Sequence, residues 1–86
     1  MDLEKLQNQI DAVNNVFKEN RCSFSAELND FTNYYVRVEI DGGDWKHEHG
    51  YADYVMSQHG FTKVKEKITE DTECDWYSSI HYFMLK

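Results

Sequence analysis

The spacing of apolar residues switches from a helical to a strand period twice along this chain, and that double switch limits the possible folds more than any other feature. Leu3, Leu6, Ile10, Val13 and Phe17 recur three and four residues apart, which puts all five on one stripe of a helix. Asp2 stands where a side chain can cap the first amides, so a helix is predicted over about residues 2–20. Sustained coiled coils need three or four heptads and this stripe has two, so it should pack on the protein's own sheet.

The period then becomes two. In "CSFSAEL" Phe24, Ala26 and Leu28 alternate with polar residues. After the turn-like "NDFTN", "YYVRVEI" sets Tyr34, Val36, Val38 and Ile40 against Tyr35, Arg37 and Glu39. These are the strands of a hairpin with an apolar even-numbered face. Past Gly42 and Gly43, Asp44 can cap a second helix carrying Trp45, His49, Ala52, Val55, Met56 and His59 at helical spacings, with Gly60 suited to a left-handed stop. Gly50 weakens that helix by about 1 kcal/mol relative to Ala. The competing reading makes "DWKHEH" a strand paired with "YYVRVEI" across the glycines. In the last third, "FTKVKEKI" places Lys63, Lys65 and Lys67 on one face and Val64 and Ile68 on the other. "DWYSSIHYFML" puts Trp76, Ile80, Tyr82 and Met84 on its even face, and the acidic "TEDTECD" makes the loop between the two.

The order α-β-β-α-β-β implies an α+β fold, a two-layer sandwich of one antiparallel four-stranded sheet with both helices on one face. At 86 residues the chain makes one domain, 1–86. An echo between "VFKENRCSF" and "VMSQHGFTK" hints at two αββ halves, about 1–42 and 43–86. If the even face is covered, the open face shows Tyr35, Arg37, Glu39, the three lysines, Tyr77, Ser79, His81, Phe83 and Leu85. The last strand is apolar on both sides, so it is either central or covered by a ligand or by a second copy in a homodimer.

Sixteen Asp and Glu against nine Lys and Arg leave a net charge of −7. That disfavours direct binding to nucleic acid or to anionic membranes, where Lys and Arg supply the affinity, and favours a basic partner. The N-terminal segment has neither the basic start nor the apolar core of a signal peptide, and no apolar run approaches spanning length, so a cytoplasmic protein is expected. Cys22 and Cys74 could pair or stay reduced.

"IDGGDWKHEHGYAD" holds His47 and His49, which on a strand would point the same way and could bind zinc or nickel with Asp44 or Asp53. On a helix, residues two apart diverge by about 200° and cannot share an ion. His49 with Asp53, four apart, would need ligands from elsewhere in the fold. No metal and no cofactor is expected. Ser79 and His81 share a strand face, but positions two apart are about 7 Å from each other, too far for proton transfer. With no nucleophile elbow, phosphate loop or dinucleotide fingerprint, no enzyme is expected either.

Charge distribution is the remaining signal. Residues 39–53 hold five acids, Glu39, Asp41, Asp44, Glu48 and Asp53, against one lysine. Residues 68–85 hold Glu70, Asp71, Glu73 and Asp75 against none, and Trp45, Tyr51 and Trp76 lie beside the acids as candidate anchors. Projected together, the two groups could imitate a nucleic-acid backbone and occupy a basic channel. In its small size, acidity, abundance of Tyr and Trp and lack of proline, the whole chain resembles the small inhibitors that bacteriophages encode against host nucleases, of anti-CRISPR and anti-restriction type, some of which are DNA mimics. The resemblance implies a phage protein in the host cytoplasm that occludes a nuclease's nucleic-acid site, and assigns no residue a role. The alternatives are a small ligand- or metal-responsive domain and a structural homodimer joined through Tyr77, Phe83 and Leu85.

Overall fold

The structure, a computed structural model, describes residues 2–30, 32–41, 45–71 and 76–86, without the side chains of residues 30, 45–48, 70, 71 and 76. The order is α1 (Leu3–Glu19), β1 (Ala26–Asp30), β2 (Tyr35–Asp41), α2 (Trp45–Gln58), β3 (Phe61–Asp71) and β4 (Trp76–Leu85). All neighbouring strands run antiparallel in the spatial order β1-β2-β4-β3. This is the α+β fold that the two changes of period imply. Residues 45–58 are helix, which decides against the strand reading of "DWKHEH".

The first helix starts as its sequence predicts, with Asp2 accepting a hydrogen bond from the Lys5 amide at 3.2 Å. It ends in a Schellman motif, in which the Cys22 amide reaches the Phe17 carbonyl and the Arg21 amide that of Lys18. Arg21 takes the left-handed position at φ 58°, a conformation that glycine adopts without cost and arginine does not. Gly60 performs the same turn after α2 at φ 86°. The echo between "VFKENRCSF" and "VMSQHGFTK" aligns these two residues, and it aligns buried Phe17 with buried Met56. The strand order is likewise symmetric about the β2–β4 seam, as two αββ units joined edge to edge would be.

Leu6, Ile10, Val13 and Phe17 of α1 and Ala52, Val55 and Met56 of α2 pack on Ala26, Val36, Val38 and Ile40, with Phe24 and Phe61 closing the ends of the core. Phe24 is buried although the strand begins only at Ala26, later than the alternation in "CSFSAEL" suggests. Asn14 fixes the position of α1 over that edge. Its side-chain oxygen accepts from the Ala26 amide at 2.7 Å, and its side-chain amide donates to the Ala26 carbonyl at 2.9 Å. One side chain thereby stands in for a neighbouring strand. Asn14→Ala is expected to cost about 1–3 kcal/mol, because two part-buried backbone groups lose their partners. Chemical denaturation measures the cost, and amide exchange at Ala26 should rise with it.

The inward face of the second hairpin is the reverse of the expected one. Antiparallel register pairs Val36 with Phe83, Val38 with His81 and Ile40 with Ser79, so the odd residues of β4 join the even residues of β2 beneath the helices. Ser79, His81 and Phe83 are buried, whereas Ile80, Tyr82 and Met84 line the open face half-buried. A homodimer through Tyr77, Phe83 and Leu85 would therefore need residues that lie on the helix side of the sheet. In β3 the register slips between Lys63 and Lys65, leaving Val64 as the extra residue of a bulge. Lys63 pairs with Phe83 on the helix side, while Lys65 and Lys67 pair with Tyr82 and Ile80 on the open side, so the three lysines do not share a face. Past the bulge, Glu66 pairs with His81 and turns inward. Val64 and Ile68, expected in the core, are 43% and 47% exposed.

Candidate functional site

Three elements bring six polar side chains together beneath α2. The helix supplies His49 and Asp53, four residues apart and hence on one face. β3 supplies Lys63 and, through its bulge, Glu66, while β4 supplies Ser79 and His81. His81 is completely buried. Its Nε2 lies 2.8 Å from Ser79 Oγ, and its Nδ1 lies 3.0 Å from Asp53 Oδ1 and 3.5 Å from Glu66 Oε1. His49 reaches Glu66 Oε1 with Nε2 at 3.1 Å and Ser79 Oγ with Nδ1 at 3.4 Å, and the two imidazole centroids are 4.5 Å apart. Lys63 Nζ bridges Asp53 Oδ2 at 2.8 Å and Glu66 Oε1 at 3.1 Å.

The electrostatics follow from that packing. Burial raises the pKa of the Asp53 carboxyl, but His81 and Lys63 beside it more than offset this and hold it below its ordinary 3.8. Burial likewise lowers that of Lys63, and its two carboxylate partners more than offset this, raising it above 10.5. Although Asp53 Oδ1 and His81 Nδ1 are only 3.0 Å apart, both are buried and neither makes a hydrogen bond of good geometry.

Ser79, His81 and Asp53 stand in the sequence of contacts of a serine–histidine–aspartate relay. The expectation that Ser79 and His81 are too far apart is corrected: strand positions two apart are separated at the backbone, but these side chains lean together to 2.8 Å. The serine is nonetheless only 1% exposed, so a substrate carbonyl cannot reach it. The constellation lacks the access that nucleophilic catalysis requires.

No family model, curated protein or solved structure matches this chain.

The acids divide into three situations. Asp53 belongs to the cluster beneath α2, paired with Lys63. Glu39 is exposed but paired with Arg37 at 2.7 Å on its own strand, and Arg37 also reaches Glu27 at 3.3 Å. Asp41 is exposed at the end of β2, in register with Ser78 of β4, which is in turn in register with Thr69 of β3. Glu70 and Asp71 follow directly, opposite Tyr77 and Trp76. Neighbouring strands are about 4.8 Å apart, so β2 and β3 lie roughly 10 Å apart here and both acidic segments leave the sheet at one end. Trp45 follows Asp41 by four residues and so starts α2 within about 15 Å of it, with Glu48 in the next turn. Asp44, Glu73 and Asp75, and the question of whether Cys74 pairs with Cys22, lie outside the described residues.

The sequence singles out His49, Asp53, Ser79 and His81 separately, and the fold joins them. Lys63 stands in the sequence as one of three alternating lysines, and no pattern singles out Glu66. Nothing in "KVKEKI" announces the bulge that turns Glu66 inward.

Proposed function

We propose that the chain is a non-enzymatic binding protein whose acidic end docks on a basic protein surface of the kind that lines a nucleic-acid channel. The observation that supports this is the strand register: it brings Asp41 on β2 and residues 70–71 on β3 to one end of the sheet, with the start of α2 close by. Asp41, Asp44, Glu48, Glu70, Asp71, Glu73 and Asp75 belong to these segments, against Lys46 as their one Lys or Arg. Like charges grouped in two segments of a small domain sum into a local field, screened over a Debye length of about 8 Å, and such a field accelerates encounter with a cation-lined groove at low salt. A nuclease occluded in this way loses access to its substrate without any chemistry performed on it.

Affinity capture at low salt, followed by elution at high salt, should yield a basic nucleic-acid-binding protein whose own nucleic acid competes for the complex. Asp71→Lys combined with Glu73→Lys is expected to slow association by roughly tenfold while changing dissociation little, as loss of steering does. Surface plasmon resonance across a salt series separates the two rates. Unchanged binding after reversal of both acidic segments would sink the reading.

A further inference from the structure

The cluster around buried His81 carries an inference independent of the acidic end. We propose that His49 Nε2, His81 Nδ1 and Glu66 Oε1, with Asp53 Oδ1 beside them, form a binding site for a divalent first-row transition metal ion of the zinc type.

The ligand atoms of His49, Glu66 and His81 all lie within 4.8 Å of one another. Zinc–nitrogen bonds of about 2.0–2.1 Å in a tetrahedral shell place neighbouring ligand atoms roughly 3.3 Å apart. The separations here are 3.1 Å from His49 to Glu66, 3.5 Å from His81 to Glu66 and 3.0 Å from His81 to Asp53. Two imidazole nitrogens and two carboxylate oxygens are a donor set that suits zinc, cobalt or nickel better than the all-oxygen shells of calcium or magnesium.

The second observation is the state of His81. Its ring is inaccessible to solvent, and Nδ1 makes no hydrogen bond while facing two carboxylate oxygens. In the tautomer that donates Nε2–H to Ser79 Oγ, Nδ1 is left as an acceptor beside two carboxylate oxygens at 3.0 and 3.5 Å, and a cation seated among the three would relieve that repulsion. Ser79 thus does for His81 what an outer-shell partner does for a metal-bound histidine, holding the ring and its tautomer. The helix spacing that excludes His47 with His49 as a pair is the spacing that delivers His49 with Asp53, and β3 and β4 supply the ligands that this pair lacks. A groove of about 450 Å³ lined by Gly50, Asp53, Tyr54 and Lys63 adjoins the Asp53 side of the cluster.

Lys63 is the rival cation. Its ammonium bridges both carboxylates, so it competes with an incoming ion and repels it. A purely structural ion-pair cluster and a metal site therefore respond to its removal in opposite ways. A protonated His81 would supply the missing positive charge without any metal, and the same experiment distinguishes that case.

The test titrates zinc into the full chain while the histidine ring signals are followed by NMR, with cobalt as a second probe read by its visible ligand-field bands. The expected result is one equivalent bound, with the His49 and His81 signals moving together and those of His59 unmoved. The melting temperature should rise in zinc and fall back with a chelator. Glu66→Gln and His49→Gln, both at part-exposed positions that leave the core intact, should each weaken zinc at least about tenfold. Lys63→Gln should tighten it. The proposal is overturned if the His49 and His81 rings do not move at millimolar zinc, if Glu66→Gln and His49→Gln bind as the parent does, or if Lys63→Gln binds more weakly.

Discussion

His81→Ala in metal-free buffer is expected to cost about 3–5 kcal/mol, against a total stability of about 4–13 kcal/mol for a domain of this length. The substitution empties a fully buried volume and removes the group that faces Asp53, Glu66 and Ser79. Cavity formation and orphaned polar groups then act in the same direction. Urea titration followed by circular dichroism measures the loss as a shift of the midpoint. Pairing the change with Asp53→Asn in a double-mutant cycle separates the contact from the packing. Coupling above about 1 kcal/mol is expected for groups 3.0 Å apart in a shared network. A loss below 1 kcal/mol would mean that the site relaxes around the missing ring and that the cluster is not held by its histidine.

Phe17→Ala is expected to have an effect of similar size, about 3–5 kcal/mol. Phe17 is 1% exposed and meets Phe24 at 4.8 Å and Tyr51 at 6.4 Å between ring centroids, both edge to face. It therefore ties α1 to the segment leading into β1 and to α2. Edge-to-face aromatic pairs contribute about 0.5–1.5 kcal/mol beyond the area they bury, so Phe17→Leu should recover most of the loss but not all of it. In a domain of this size each kcal/mol corresponds to a fall of roughly 4–8 °C in melting temperature, which thermal denaturation resolves easily. An alanine variant melting within a few degrees of the parent would show that the helices stay docked without this ring.

The two substitutions touch parts of the fold that differ in how far the sequence reveals them. Phe17 sits on a stripe of five apolar residues at helical spacing, so its burial is legible from the spacing alone. The second helix is legible for the same reason, down to the stop at Gly60. His81 is not legible in this way. It lies on a strand that is apolar on both sides, where alternation cannot say which face is covered, and the buried parity is the reverse of the one that turns Ile80, Tyr82 and Met84 inward. The even residues of β2 face inward, and antiparallel register joins them to the odd residues of β4, but that register is a relation between distant strands.

Local periodicity thus determined the element types, their order and the α+β class, because the spacing of apolar residues is dictated by the helix and strand repeats themselves. Composition determined the net charge. Tertiary structure alone decided the strand order, the buried face of β4, and the bulge that sends Lys63 and Glu66 inward while Lys65 and Lys67 stay outside. It also assembled His49, Asp53, Lys63, Glu66, Ser79 and His81, which span more than thirty residues of sequence, into one cluster. Such a cluster depends on the register between strands and on the docking of α2 over them, and neither is encoded in any short window of the chain.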